Sequence, residues 1–218
     1  MKRLPLTPLI IASAMVGGLY AWARIRSELP TEKPQLLVIE GPSKHLVTPE
    51  MAKASQAMLD RTAPGFSKPG TDGQTHRLGE MLRGGPVLLT FIKQGCPCSE
   101  AAQSFFNDLH AAYPKLSMWG VIDREHGKAK EWAERFHVAY PLLIDPDGEL
   151  VRSYEVENSA YVVLIGRQGG IEKHWPGYSE SMLRELGSLM AKMTGSSEKP
   201  LDLAEAPEEL YTGCPYEL

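Results

Sequence analysis

Apolar and polar positions change texture several times along this chain, and each texture predicts an element. Residues 86–92 form an unbroken apolar run between Gly84-Gly85 and Lys93-Gln94-Gly95, the pattern of a strand covered on both faces. Ala101, Ala102, Phe105, Phe106, Leu109, Ala112 and Tyr113 then recur at three and four positions, which predicts an amphipathic helix over 99–113 closed by Pro114. A strand at 116–122, a helix at 127–137 and a strand at 141–144 follow, and Asp145-Pro146-Asp147-Gly148 makes a turn. Residues 161–165 and 170–174 pair across Gly166 to Gly169 as a hairpin, and 180–193 is a closing helix. Upstream, Thr48-Pro49-Glu50 opens a short helix over 48–60. Ala63-Pro64-Gly65-Phe66 and the stretch ending at Leu78 read as strands joined by the Gly70-Thr71-Asp72-Gly73 turn.

The order β-α-β-α-β-β-α places helix-connected strands before a hairpin, which predicts an α/β fold with a mixed sheet and helices on both faces. The chain divides into an apolar N-terminal segment at 1–26, a linker with a short strand at 35–39 and the first helix over 27–61, one compact domain at 62–194, and a charged, proline-bearing flexible tail at 195–218.

Composition changes the picture at two points. The 218 residues carry a net charge of −4 with no long basic block, which excludes nucleic acid as an electrostatic partner. The run from Leu4 to Ala23 is uncharged, preceded by Lys2 and Arg3 and followed by Arg24 and Arg26. Pro5, Pro8, Ser13 and Gly17-Gly18 dilute it to a denser stretch at 9–21 of signal-peptide size, and Ala21-Trp22-Ala23 offers a cleavage pattern. A cleaved signal and a retained membrane anchor both fit. Either reading puts the rest of the chain outside the cytoplasm, exported to a periplasmic or extracellular space or held facing it.

That location bears on the cysteines, since thiols outside the cytosol persist as disulfides. Gly95-Cys96-Pro97-Cys98-Ser99 stands where the buried strand meets the helix, and free N–H groups at a helix start favour thiolate over thiol. The Lys93 ammonium adds to that field, while Pro97 and Ser99 shape the junction. Inside a helix, residues two apart point about 200° away from each other, which would keep Cys96 and Cys98 from bonding. An extended Cys96-Pro97-Cys98 segment could bring the Cα atoms within roughly 7 Å, with strain that makes the bond readily reduced. The chain has 3 cysteines, so one is left over. Cys214, on the tail, is the second candidate to resolve Cys96. A structural pair of buried thiols is the bland alternative, as core packing is for Phe105, Phe106 and Trp119.

Over about 62–194 these residues resemble the thioredoxin-like redoxin family of the alkyl hydroperoxide reductase and thiol-specific antioxidant type. Ala63-Pro64-Gly65-Phe66 is similar to the family's opening motif, with Gly65 where aspartate is usual. Gly73 to Leu78 looks like the next strand, Val87 to Cys96 like the strand leading to the active-site cysteine, and Asp145-Pro146-Asp147-Gly148 like a turn many members carry. The resemblance implies a thioredoxin-like fold and a thiol–disulfide oxidoreductase or antioxidant without cofactor, acting on protein or small-molecule disulfides or on peroxides. It puts Cys96 on the nucleophile's position and Ser99 on that of the second C-x-x-C cysteine, with Cys98 between. A shortened C-P-C alignment makes Cys98 the partner instead.

The resemblance also has gaps. Ala160 stands where the family usually has a cis-proline, Lys93 where peroxiredoxins have threonine, and Thr90 where thioredoxins bury a carboxylate. A peroxiredoxin-like peroxide reductase is the alternative within the family. A Sco-like copper-binding or delivery protein is the alternative of another class, because C-x-C thiolates suit Cu(I), but Asn158 replaces the histidine of that pattern. Sequence does not place His137 or His174 near Cys96, and no metal ligand set is assigned.

Overall fold

The computed structural model describes residues 45–217, so the apolar segment at 4–23 and the strand expected at 35–39 lie outside the described residues. Helix α1, Pro49–Ala57, is capped by Thr48, whose hydroxyl accepts the Met51 N–H at 3.2 Å. Strands β1 (Ser67–Pro69) and β2 (Thr75–Arg77) form a separate antiparallel hairpin. Helix α2 is Leu78–Gly84. The main sheet takes β3 (Val87–Ile92), β4 (Ser117–Ile122), β5 (Leu142–Ile144), β6 (Val162–Ile165) and β7 (Ile171–Trp175), in the spatial order β5-β4-β3-β6-β7. Helix α3 (Pro97–Ala112) joins β3 to β4, α4 (His126–Arg135) joins β4 to β5, α5 (Glu149–Ser153) follows β5, and α6 (Glu180–Thr194) follows β7.

The apolar run lies where its pattern requires. β3 is the central strand, parallel to β4 and antiparallel to β6, and every residue in it is buried. Leu88 and Ile92 face a core built with Phe105, Phe106 and Leu109 of α3, Trp132 of α4, and Leu183 and Leu186 of α6. Val87, Leu89 and Phe91 face the opposite core with Met51 of α1 and Leu150 and Val151 of α5. Trp119 is half-buried and lies against the His76 ring, with centroids 4.3 Å apart.

Several local expectations shift. The hairpin forms one step later than its motif, at β1 and β2, because Pro64 lacks a ladder donor and the Ala63 N–H goes to the Gly169 carbonyl. Leu78 starts a helix instead of ending a strand. The turn after β5 continues into α5, whose first N–H groups, on Leu150 and Val151, are satisfied by the buried Asp145 carboxylate at 3.0–3.2 Å. The segment expected to be a flexible tail is instead bonded to the domain. Val47 N–H donates to Leu210 O at 3.0 Å, Thr212 N–H to His45 O at 2.7 Å, and Tyr178 and Tyr211 exchange backbone hydrogen bonds.

Candidate active site

β3 ends at Ile92, and the chain turns through Gly95, at φ 80, into α3. Cys96 is the N-cap of α3, extended at φ −91 and ψ 116, and Pro97 takes the first helical position, where its missing N–H costs nothing. Cys96 therefore stands outside the helical turn that holds Cys98. The opposition of residues two apart inside a helix does not apply to them, and Cys98 lies close enough to Cys96 to lower its pKa. The structure thus brings together Cys96, Cys98 and Cys214, all three as free thiols.

Donors converge on the Cys96 sulfur. The Ser159 hydroxyl lies 3.2 Å away and the Cys214 backbone N–H 3.0 Å away. Hydrogen bonding from Cys98 first, then from Cys214, Ser159 and the Ser99 backbone, pulls the Cys96 thiol down to about 4 against the opposing effect of burial. The same contact acts in reverse on Cys98, which Cys96 pushes far above the ordinary thiol range, with burial adding to the rise. Burial first, and Cys96 second, raise Cys214 to about 12. The surroundings favour the thiolate at Cys96 and the protonated thiol at Cys98 and Cys214.

The other expected residues fall around this centre. The Ser99 hydroxyl accepts the Lys93 N–H at 3.2 Å, which fixes the strand-to-helix turn. Lys93 Nζ donates to the Pro215 carbonyl at 2.6 Å and so fastens the C-terminal segment. Thr90 is buried in the core, with its hydroxyl 3.3 Å from the Tyr140 hydroxyl, which also meets Gln103 at 3.0 Å. Ala160 adopts the left-handed φ of 62, and none of the described peptide bonds is cis.

Two residues that sequence reading missed belong to the site. Ser159 could have been found as the residue just before Ala160, the position where the family resemblance leads one to expect a cis-proline. His45, whose Nδ1 is 3.3 Å from Cys98 Sγ, carried no such signal. The remaining histidines named above lie elsewhere. His174 is a satisfied core residue between Ser55 Oγ and the Tyr154 carbonyl, and His137 is exposed. Asn158 forms a backbone bridge with Pro215. Among the described residues no group of three or more His, Cys, Asp or Glu side chains is arranged to hold a metal ion.

Comparison with known proteins shows the family. Residues 59–174 match the AhpC/TSA family model. The chain belongs to the AhpC/TSA family. Over 116 residues it is 29% identical to thiol-disulfide oxidoreductase ResA of Geobacillus thermodenitrificans, a match spanning 51% of this chain and 66% of that relative, just under two thirds of its length. The ResA of Bacillus cereus is 24% identical over 149 residues, covering 83% of that protein. Among solved structures, a secreted Mycobacterium tuberculosis disulfide oxidoreductase homologous to Escherichia coli DsbE shares the fold, at 22% identity and a TM-score of 0.51, with 58% of this chain and 95% of that one covered. This chain carries C-P-C spacing at the start of α3, Ala160 just before β6, and a C-terminal segment that brings a third cysteine to the centre.

Proposed function

We propose that this AhpC/TSA protein is a thiol–disulfide oxidoreductase of protein disulfides, with Cys96 as nucleophile and Cys98 as the resolving thiol. The observation that carries this reading is the set of donors on the Cys96 sulfur, which stabilises the nucleophilic thiolate at the mouth of a helix. The named activity of the ResA relatives supports the reaction class. The N-terminal apolar run supports work outside the cytoplasm, either exported or membrane-anchored.

In the reductive direction the Cys96 thiolate attacks one sulfur of a substrate disulfide. The S–S bond breaks, a mixed disulfide forms, and the other substrate sulfur leaves as thiolate and takes a proton. Cys96 has then lost its charge, which removes the main cause of the raised Cys98 pKa. Cys98 ionises, and His45 Nδ1 at 3.3 Å lies within reach of its proton. Attack by Cys98 on Cys96 Sγ releases the second substrate thiolate and leaves a Cys96–Cys98 disulfide. The substrate gains two electrons and the protein loses two. The high pKa of Cys98 holds it in reserve until Cys96 has reacted.

Disulfide mapping by mass spectrometry after mild oxidation tests the reading. The expected product is a Cys96–Cys98 bond. A protein whose Cys96 stays reduced under these conditions does not work this way.

A further inference from the structure

Cys96 is 1% exposed, so a partner sulfur does not reach it while the C-terminal segment is in place. That segment lies on the site as an added strand. Gly213 N–H donates to Ser159 O at 2.8 Å, Ser159 N–H to Cys214 O at 3.0 Å, and Tyr216 N–H to Glu157 O at 3.0 Å, with Asn158 and Pro215 paired antiparallel. Strand alternation turns Cys214 and Tyr216 inward and leaves Pro215 exposed between them. Cys214 meets Cys96, while the Tyr216 ring joins the core of Phe91 and Tyr161 with its hydroxyl buried and unpartnered.

Two glycines make the close approach possible. A Cβ on Gly213 would collide with Ser159 Oγ and lie 2.7 Å from the Ser159 carbonyl oxygen. A Cβ on Gly177 would collide with the Tyr211 carbonyl oxygen and lie 2.6 Å from its carbon. Neither glycine has a left-handed φ, so what each position needs is the absence of a side chain.

We propose that residues 212–216 are an internal stand-in for substrate. They fill a groove along residues 157–159 that accepts an extended peptide with a small residue immediately before its cysteine and an aromatic residue two positions after it. Peptides of this class exchange with Cys96 once the segment is displaced. This rests on the oxidoreductase reading above and names its substrate class. Backbone pairing along Glu157 to Ser159 supplies sequence-independent affinity, as in β-strand addition, and specificity comes from the positions flanking the cysteine. Close approach to Ser159 selects the small residue. The apolar surface against which the half-buried Tyr216 ring packs selects the aromatic one. The chain's own segment holds the groove in cis at an effective concentration on the order of millimolar, so a free peptide competes poorly until that segment is loosened.

The test uses the full chain carrying Cys214→Ser, alone and combined with Gly213→Val or with Gly177→Ala. Two variants loosen the segment from different sides, and far-UV circular dichroism checks that each is folded. Hydroxyethyl disulfide at pH 8 reports access to Cys96. The expected result is a rate about tenfold higher in the loosened variants, and equal rates in folded loosened and unloosened proteins would overturn the internal stand-in. Glutathione-capped peptides Thr-Gly-Cys-Pro-Tyr, Thr-Val-Cys-Pro-Tyr and Thr-Gly-Cys-Pro-Ala are then offered to the loosened protein. The first should exchange about tenfold faster than the others, the scale set by burying one aromatic ring. Equal peptide rates alongside a reactive Cys96 would defeat the substrate class and leave the oxidoreductase reading standing. A Cys96 inert to hydroxyethyl disulfide in every variant would defeat both.

Discussion

The backbone N–H of Cys214 donates to the sulfur of Cys96 at 3.0 Å across 118 positions of sequence. Because the donor is a main-chain group, the third cysteine serves the first in two separable ways. Its amide stabilises the Cys96 thiolate whatever side chain it carries, and its thiol is a second group within reach of the same sulfur.

The pH profile of Cys96 ionisation follows from those donors. Cys96 should ionise with a midpoint near its lowered value of about 4, read as thiolate ultraviolet absorbance, which requires no reagent to reach the buried sulfur, while Cys98 and Cys214 stay protonated through neutral pH. Ser159→Ala removes one donor and should move the midpoint upward. Cys98→Ala removes the largest contribution and should move it further. Ultraviolet pH titration of the parent and each variant, with Cys96→Ser as the blank, gives each midpoint, and a Cys98→Ala midpoint equal to that of the parent would contradict the arrangement.

Resolution by Cys98 predicts which variant stalls. Cys98→Ser, challenged with a protein disulfide, should accumulate a mixed disulfide at Cys96, and Cys214→Ser should not. Non-reducing electrophoresis distinguishes the two, and stalling in Cys214→Ser would move the resolving role to the C-terminal segment.

Stability of the reduced protein should depend on pH through Cys96. Its folded pKa lies below the unfolded value of 9.0, so between about 4 and 9 the unfolded chain binds more protons than the native one. Stability therefore rises with pH across that window, is fully present above the unfolded value, and is lost as pH falls through the folded one. Urea midpoints of the parent and Cys96→Ser, measured under reducing conditions from about pH 5 to pH 8, should separate progressively in the parent's favour. A constant gap would mean that Cys96 is not the group responsible.

The Lys68–Asp145 pair should be unequal in its two halves. Lys68 Nζ lies 2.8 Å from the fully buried Asp145 carboxylate and also meets the exposed Asp147 and Glu149 at 2.9 and 3.0 Å. Asp145→Ala strands the α5 N–H groups and weakens the neutralisation of a buried ammonium, at a cost of about 3 kcal/mol. Lys68→Met leaves Asp145 with its backbone donors and should cost less. Denaturant unfolding of both variants checks the order.

Much of the fold was legible because its signals are local. The unbroken run at 86–92 can only be covered on both faces, and it became β3 at the middle of the sheet. The three-and-four spacing after Ser99 became α3 because it describes one face of one helix. The signals failed where a distant group decides the outcome. Residues 149–153 are too few to show a period, and their helix depends on the Asp145 carboxylate. Ala63 finds its partner at Gly169, which no local pattern records.

Sequence alone determined that a cysteine stands at the start of a helix after a buried strand, because strand pattern, glycine turn and proline at the first helical position are all contiguous. It also determined that the cysteine count leaves one thiol over. Only the tertiary structure shows which sulfur the surrounding donors favour as thiolate. Beside the contribution of neighbouring Cys98, that preference rests on donors from Ser159 and Cys214, brought to Cys96 by antiparallel pairing between residues 157–159 and 213–216, and a hydrogen bond between such distant segments leaves no periodicity in either. Gly177 and Gly213 show the same division. Gly213 falls in the segment expected to be a flexible tail and Gly177 carries no sequence signal, and only the carbonyl lying against each shows that the position requires the absence of a side chain.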